Sequence, residues 1–437
     1  MTRKQHFQSV SAAAIIALIL ASVTYCAGGA APARRSRAAS RAPAPPASSG
    51  GLANSPWPKE GHDPGNTNRT SLRGPIHGRV VWTRHLAWRG GVHLSMPAVD
   101  GAGNIYIGSI DGALYSLSPA RKIRWMYQTA GWMGDTVLPA NGTVYAADLG
   151  GTLYALAASN GKLLWNFHIR PGGNPASYVQ TLGSPGLGGD GTVYLGAILY
   201  DLPEVEAPSS LLYAVTPGGK LKWSLSVQGK FEGVAVRPGP GRIDVATSER
   251  LYALDAKGEA IWTSLLGSLE PPVIGMNGEL LILPIQPGHP GAPSMSPREL
   301  YAIGARGAVL WHVPLMTRQA QLAQKPGYGT AFFRPTLGWH GVIYLGSSDG
   351  LWVLDMSGRL RAHAFPGKIV TSPLVDGKGH LYLDIAAQSS PSRPTLYALT
   401  EGRKIMWKIG GAVPVAIGPG RRLYAVVDTA ARLDAIE

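Results

Sequence analysis

Asn104-Ile-Tyr-Ile-Gly-Ser-Ile-Asp-Gly-Ala-Leu-Tyr-Ser-Leu117 runs into Lys122-Ile-Arg-Trp125, and the same order returns at Thr143-Val-Tyr-Ala-Ala-Asp-Leu-Gly-Gly-Thr-Leu-Tyr-Ala-Leu156 before Gly161-Lys-Leu-Leu-Trp165. Apolar residues alternate or run in fours to sixes, bounded by Asn-Gly, Asp-Gly or Gly-Lys. That pattern predicts short antiparallel strands joined by hairpin turns. Later copies run Val193-Tyr-Leu-Gly196 to Trp223, Leu251-Tyr-Ala-Leu254 to Trp262, Leu300-Tyr-Ala-Ile303 to Trp311, Ile343-Tyr-Leu-Gly346 to Leu354, and Leu381-Tyr-Leu383 to Trp407.

Segments such as Ser95-Met-Pro-Ala-Val99, Ser184-Pro-Gly-Leu187 and Ser372-Pro-Leu-Val375 supply one further strand each. Four strands per copy make a propeller blade. The outer-strand position is occupied by Trp82, Trp125, Trp165, Trp223, Trp262, Trp311, Ala362 and Trp407, which predicts eight blades. Gly78-Arg-Val-Val-Trp82 is an isolated outer strand. The chain ends on inner strands only, at 413–417, 423–426 and 431–436. The first strand is therefore expected to complete the last blade and remove an unpaired edge. The expected fold is an all-β, eight-bladed β-propeller, and a repeated Trp serves to pack blade on blade.

Composition agrees with many short strands: 57 Gly, 35 Pro and only 15% charged residues in 437. The net charge is +14, but six of the 40 basic residues and none of the 26 acidic ones lie in the first 56 residues, which leaves +8 for the rest. Those cations are scattered along the sequence and form no basic and aromatic run, so no nucleic-acid partner is expected.

Arg3 and Lys4 precede an apolar run, 10–23, followed by small residues at 27–31. Residues 1–31 read as a secretory or lipoprotein signal, since the run is shorter than a membrane-spanning helix needs. The single cysteine, Cys26, ends Val23-Thr24-Tyr25-Cys26, which is similar to a lipobox apart from Tyr25. Lipid attachment at Cys26 and simple cleavage with release are both open. Residues 32–56, mostly Ala, Pro, Arg and Ser, read as a disordered linker, and 57–437 as the propeller. The chain is expected to be exported, in a periplasmic, membrane-tethered or extracellular location, and monomeric.

Leu-Tyr-Ala-Leu followed by Gly-Lys-x-x-Trp resembles the repeat of the pyrroloquinoline-quinone (PQQ) type, quinoprotein-like propellers. The opening Trp57-Pro-Lys-Glu-Gly-His-Asp-Pro-Gly-Asn-Thr-Asn-Arg69 is similar to the lead-in of that family. The resemblance implies either a dehydrogenase holding quinone and calcium on the axis or a non-catalytic, BamB-like branch. One cysteine rules out a vicinal disulfide and a Cys-x-x-Cys-His haem site, although the sugar-oxidising branch needs no disulfide. No position matches the family's calcium ligands or catalytic aspartate, so no catalytic, cofactor or metal residue is assigned. A scaffold for a protein or extended peptide is the leading expectation. The alternatives are a quinone- and calcium-dependent dehydrogenase of a small alcohol or sugar, and a carbohydrate-binding or sensing propeller.

Because strand direction alternates, all long connections are expected on one face, which makes it the binding face. They are 198–210, 285–298, 385–394, 85–95, 166–183 and 312–333. Candidates there are Trp88, Arg89, His93, Trp132, Asp135, Tyr178, Gln180, Phe231, Glu232, Tyr328, Phe332, Phe333 and Arg334, aromatic anchors mixed with Arg as at interfaces. Asp201, Glu204 and Glu206 lack the spacing of a calcium loop.

Overall fold

The computed structural model describes residues 51–86, 94–129, 131–138, 141–169, 178–181, 183–200, 209–239, 241–284, 299–315, 332–388, 394–427 and 431–437. Eight antiparallel sheets follow one another around a ring. The first has strands Ala98–Val99, Ile105–Gly108, Ala113–Leu117 and Ile123–Gln128 from axis to rim, and the second Met133–Val137, Thr143–Asp148, Thr152–Ala157 and Leu163–His168. Blades 3 to 7 repeat this order and end on outer strands Leu221–Val227, Ala260–Ser264, Val309–Pro314, Leu360–Ala364 and Ile405–Gly410. Blades 3 and 7 each add a fifth strand on the inner side, Tyr178–Thr181 and Lys368–Val370.

Blade 8 is built from both ends of the fold. Val413–Gly418, Arg422–Val427 and Arg432–Ile436 are completed by Val80–His85, with Trp82 opposite Ala435 and His85 opposite Arg432. The middle strands are mostly buried, whereas the outer ones are mostly exposed or half-buried. The core is thus a set of clusters between neighbouring sheets.

Five outer-strand indoles, those of Trp82, Trp125, Trp165, Trp223 and Trp407, lean on a tyrosine of their own blade, as in Trp125 with Tyr106 (5.8 Å) and Trp165 with Tyr145 (5.5 Å). The indole Nε1–H donates to a carbonyl of the next blade: Trp125 to Ala158, Trp165 to Pro217, Trp223 to Ala256, Trp262 to Ala305 and Trp311 to Met356, all at 2.8–3.0 Å. Trp82 does the same to Pro119 of blade 1, so the ring closes by the bond that joins the first five seams. The receiving turn holds a glycine with positive φ, such as Gly161 (+73°) and Gly358 (+82°). A Cβ there would come within 2.6–2.7 Å of the indole.

Both ends of the propeller follow from this topology. Strand 1–2 and strand 3–4 turns are short and lie at one end. Among the described residues, strand 2–3 turns such as 109–112 and 149–151 and blade-to-blade links such as 265–272 lie at the other.

Candidate functional site

The inner strands line the axis, and the stretch before blade 8's first-built strand crosses one end of it. Residues 53–75 form a strap along the short-turn mouth. Ala53 N–H donates to Leu138 O (2.7 Å), and Trp57 exchanges backbone bonds with Val99. Val236 and Ile274 amides donate to Pro64 and Gly65 carbonyls, Leu337 N–H to Thr67 O, and Val375 N–H to Asn68 O, at 2.8–3.0 Å. Asn66 Nδ2 reaches the carbonyls of Val234 and Pro272, both at 3.0 Å. One polar segment therefore satisfies backbone groups at the ends of inner strands in six blades, as buried backbone requires.

The strap also sends charge into the lumen. Lys59 Nζ donates to Asn66 Oδ1 (2.7 Å), and Glu60 is paired with Arg334 of blade 6 at 2.7 Å. Asp135 of blade 2 accepts from the Met96 amide (2.7 Å) and shares a hydrogen bond with Glu60. Glu232 of blade 4 lies 3.6 Å from Lys230, and Glu270 precedes the inner strand of blade 5.

Burial, reinforced by the charge of Glu60, pushes the Asp135 carboxyl up to about 8, so Asp135 keeps the proton that the two carboxyls share. Burial raises Glu270 to about 7 although Arg334 opposes it, and raises Glu232 to about 7 although Lys230 opposes it. Glu60 itself is held below the usual range: burial acts to raise it, and Arg334 and Lys59 more than offset that. Burial also draws Lys59 down to about 8.

The expected binding-face residues divide three ways. Asp135, Glu232 and Arg334 meet in the lumen. Phe231 and Phe332 are interior: Phe231 fills the space beside Gly196, and Phe332 packs on Trp352. At the long-link end Trp132 is 46% exposed, Gln180 Oε1 accepts from the Tyr200 hydroxyl (3.0 Å), and half-buried Phe333 donates its amide to Gly346. Tyr178 lies in the added inner strand opposite Tyr200. Trp88, Arg89, His93, Tyr328, Asp201, Glu204, Glu206 and Cys26 lie outside the described residues.

Lys59, Glu60 and Glu270 escaped the sequence reading. The available signal was positional, because the lumen residues Asp135, Glu232, Glu270 and Arg334 all stand at or just ahead of a buried inner strand. Among the described residues no group of three or more His, Cys, Asp or Glu side chains is placed to hold a metal ion.

A family model described as "Outer membrane protein assembly factor BamB" matches residues 73–237. No curated protein matches the sequence. Quinohemoprotein alcohol dehydrogenase from Comamonas testosteroni superposes with a TM-score of 0.64 at 14% identity, over 87% of this chain and 80% of that one. BamB from Moraxella catarrhalis gives 0.53 at 15%, over 82% and 97%. Saccharomyces cerevisiae Sqt1 gives 0.55 at 10%, over 82% and 98%. At these identities the structural likeness is one of fold. It agrees with the eight sheets in showing an eight-bladed β-propeller, whose recurring Leu-Tyr-Ala-Leu and Gly-Lys-x-x-Trp units are similar to PQQ-like repeats.

Proposed function

We propose that the chain is an exported cell-envelope propeller that acts as a non-enzymatic binding or assembly scaffold, holding a protein or extended peptide on its long-link face. Its N-terminal region either tethers it, through a lipid on Cys26, or is cleaved away. The observation that carries this reading is the asymmetry of the axis and its two ends. The strap spans one mouth, and its Glu60 is paired with Arg334. The strands that bound the longest connections, those ending at Tyr200, Ile282 and Pro314, end toward the other mouth, which supports contacts made there by loops on a rigid frame. The matched family's description as an assembly factor points the same way.

A photo-crosslinking residue at Trp132 on the long-link end, compared with one at Asn277 in a short turn, tests it in membranes expressing the full chain. Protein adducts are expected from position 132 and not from 277, and the absence of any protein adduct from 132 would count against a scaffold. The charged lumen is the observation that favours the dehydrogenase alternative. That alternative predicts a spectral change and dye reduction when pyrroloquinoline quinone and calcium are added to the purified chain, and neither is expected.

A further inference from the structure

The fold gathers at the short-turn end a set of cations that the sequence keeps a blade apart. In each of blades 1 to 7 the turn before the outer strand presents an exposed cation: Lys122, Lys162, Lys220, Lys257, Arg306, Arg359 and Lys404. None of the seven is in an ion pair among the described residues. Exposed acids at this end are few. They are Asp190, which is bonded to Lys222 (3.0 Å), Glu259 and Glu401.

Next to the cations stand exposed aliphatic residues at the start of the outer strands, Ile123, Leu163, Leu221, Val309, Leu360 and Ile405. Ammonium or guanidinium groups beside short apolar side chains, repeated around a rim, suit a surface of anionic headgroups over hydrocarbon. They suit nucleic acid poorly, because the indoles that could stack on bases are docked in the seams.

A second observation is independent of charge. Residues 1–50, with their apolar run and Cys26, join the fold at Gly51 and Leu52, just before Ala53 bonds to Leu138 at this same end. The region that would carry a membrane attachment therefore joins the fold at the end that bears the basic rim.

We propose that the short-turn end is a membrane-docking face that takes the headgroups of an anionic lipid bilayer, with the rim cations on the phosphates and the aliphatic residues in the interfacial layer. The long-link face then points away from the lipid. This inference uses the opposite end from the partner reading, so the two can fail separately.

The test is co-sedimentation of the full chain with vesicles of phosphatidylglycerol or of phosphatidylcholine, alone and as the variant K122E/K162E/K220E/R359E. Residues 1–56 carry cations of their own, so contact is also read from an environment-sensitive dye. The dye sits on a single cysteine, Ala102→Cys in a short turn or Gln388→Cys at the long-link end, each in a Cys26→Ser background. The phosphatidylglycerol preference is expected to fall about tenfold in the variant and about as far between 0.05 and 0.5 M salt. Arg replacements at the three lysines should retain it, and only the dye at 102 should report lipid. A preference unchanged in the Glu variant would overturn the proposal. So would lipid contact at 388, or binding to heparin or DNA without vesicle contact at 102.

Discussion

Two neighbouring seams of the ring solve one problem in different ways. Between blades 5 and 6, Trp311 of the outer strand donates to Met356 O (2.9 Å) and lies on Gly358. Between blades 6 and 7 the outer-strand position is Ala362, which cannot do either. There Trp339, from the strand 1–2 turn of blade 6, donates its Nε1–H to Asp376 O of blade 7 (2.7 Å). Arg69 of the strap lies 4.4 Å above the Trp339 ring and bonds to Gly338 O (2.8 Å). The receiving-turn residue also changes: Arg403, at φ +65°, stands where the Trp311 seam has Gly358. Arg121 occupies this place opposite Trp82, so the indole is not the sole reason for glycine. An indole bond across the gap is the shared requirement, and the strand that supplies it can vary when the strap takes part.

The sharpest break of this comparison is Gly358→Ala against Arg403→Ala. The first puts a Cβ 2.7 Å from Trp311 in a left-handed backbone conformation and should cost about 3 kcal/mol in denaturant unfolding. The second, facing Ala362, should cost under about 1 kcal/mol. Equal losses would mean that the indole contact does not set the choice. Next, Trp339→Phe keeps the ring but loses the bond to Asp376 O, for a loss of about 1–2 kcal/mol. Ala362 would then be shown to depend on it. Arg69→Met should cost about 1 kcal/mol through the cation–π contact and the Gly338 bond. The same change should leave a Trp311→Phe variant's loss additive, since Arg69 bonds to the turn of Trp339 and not to the Trp311–Met356 pair.

The smallest effect is on pH. Asp135, Glu232 and Glu270 are raised to about 8, 7 and 7, so between the ordinary carboxylate range and those values the folded chain binds more protons than the unfolded one. Stability from this source is present at pH 5 and is lost as pH rises to 8. The melting temperature should drop over that interval, and Glu270→Gln should make the drop shallower. The part lost should fall on the strap, because Glu60 is the group that newly ionised neighbours repel.

The ring itself was readable because Trp82 through Trp407 recur with a blade period, and a period survives without knowledge of any contact. Closure was readable too, since Gly78–Trp82 had no blade of its own. The strap was not. Lys59, Glu60 and Asn66 sit in a stretch without alternation, and each is held by a different blade, from Leu138 to Val375. The lumen pairing of Glu60 with Arg334 joins residues far apart in sequence, which no local pattern encodes. The cations show the converse: Lys122, Lys162 and Lys220 look dispersed along a line, and the fold brings them to the same end of successive blades. Trp339 lies outside the repeat register, so its role in a seam had no sequence signal.

The pairing of Val80 with Ile436 also fixes an order of events during synthesis. The opening strand, 80–85, emerges long before its partner, 432–436, so until that segment is made seven sheets stand as an open stack with a bare edge at either end. Those edges meet across nearly the whole length of the fold, a slow encounter for any chain. A chaperone that caps a lone β-edge would therefore shelter the nascent propeller until the ring shuts.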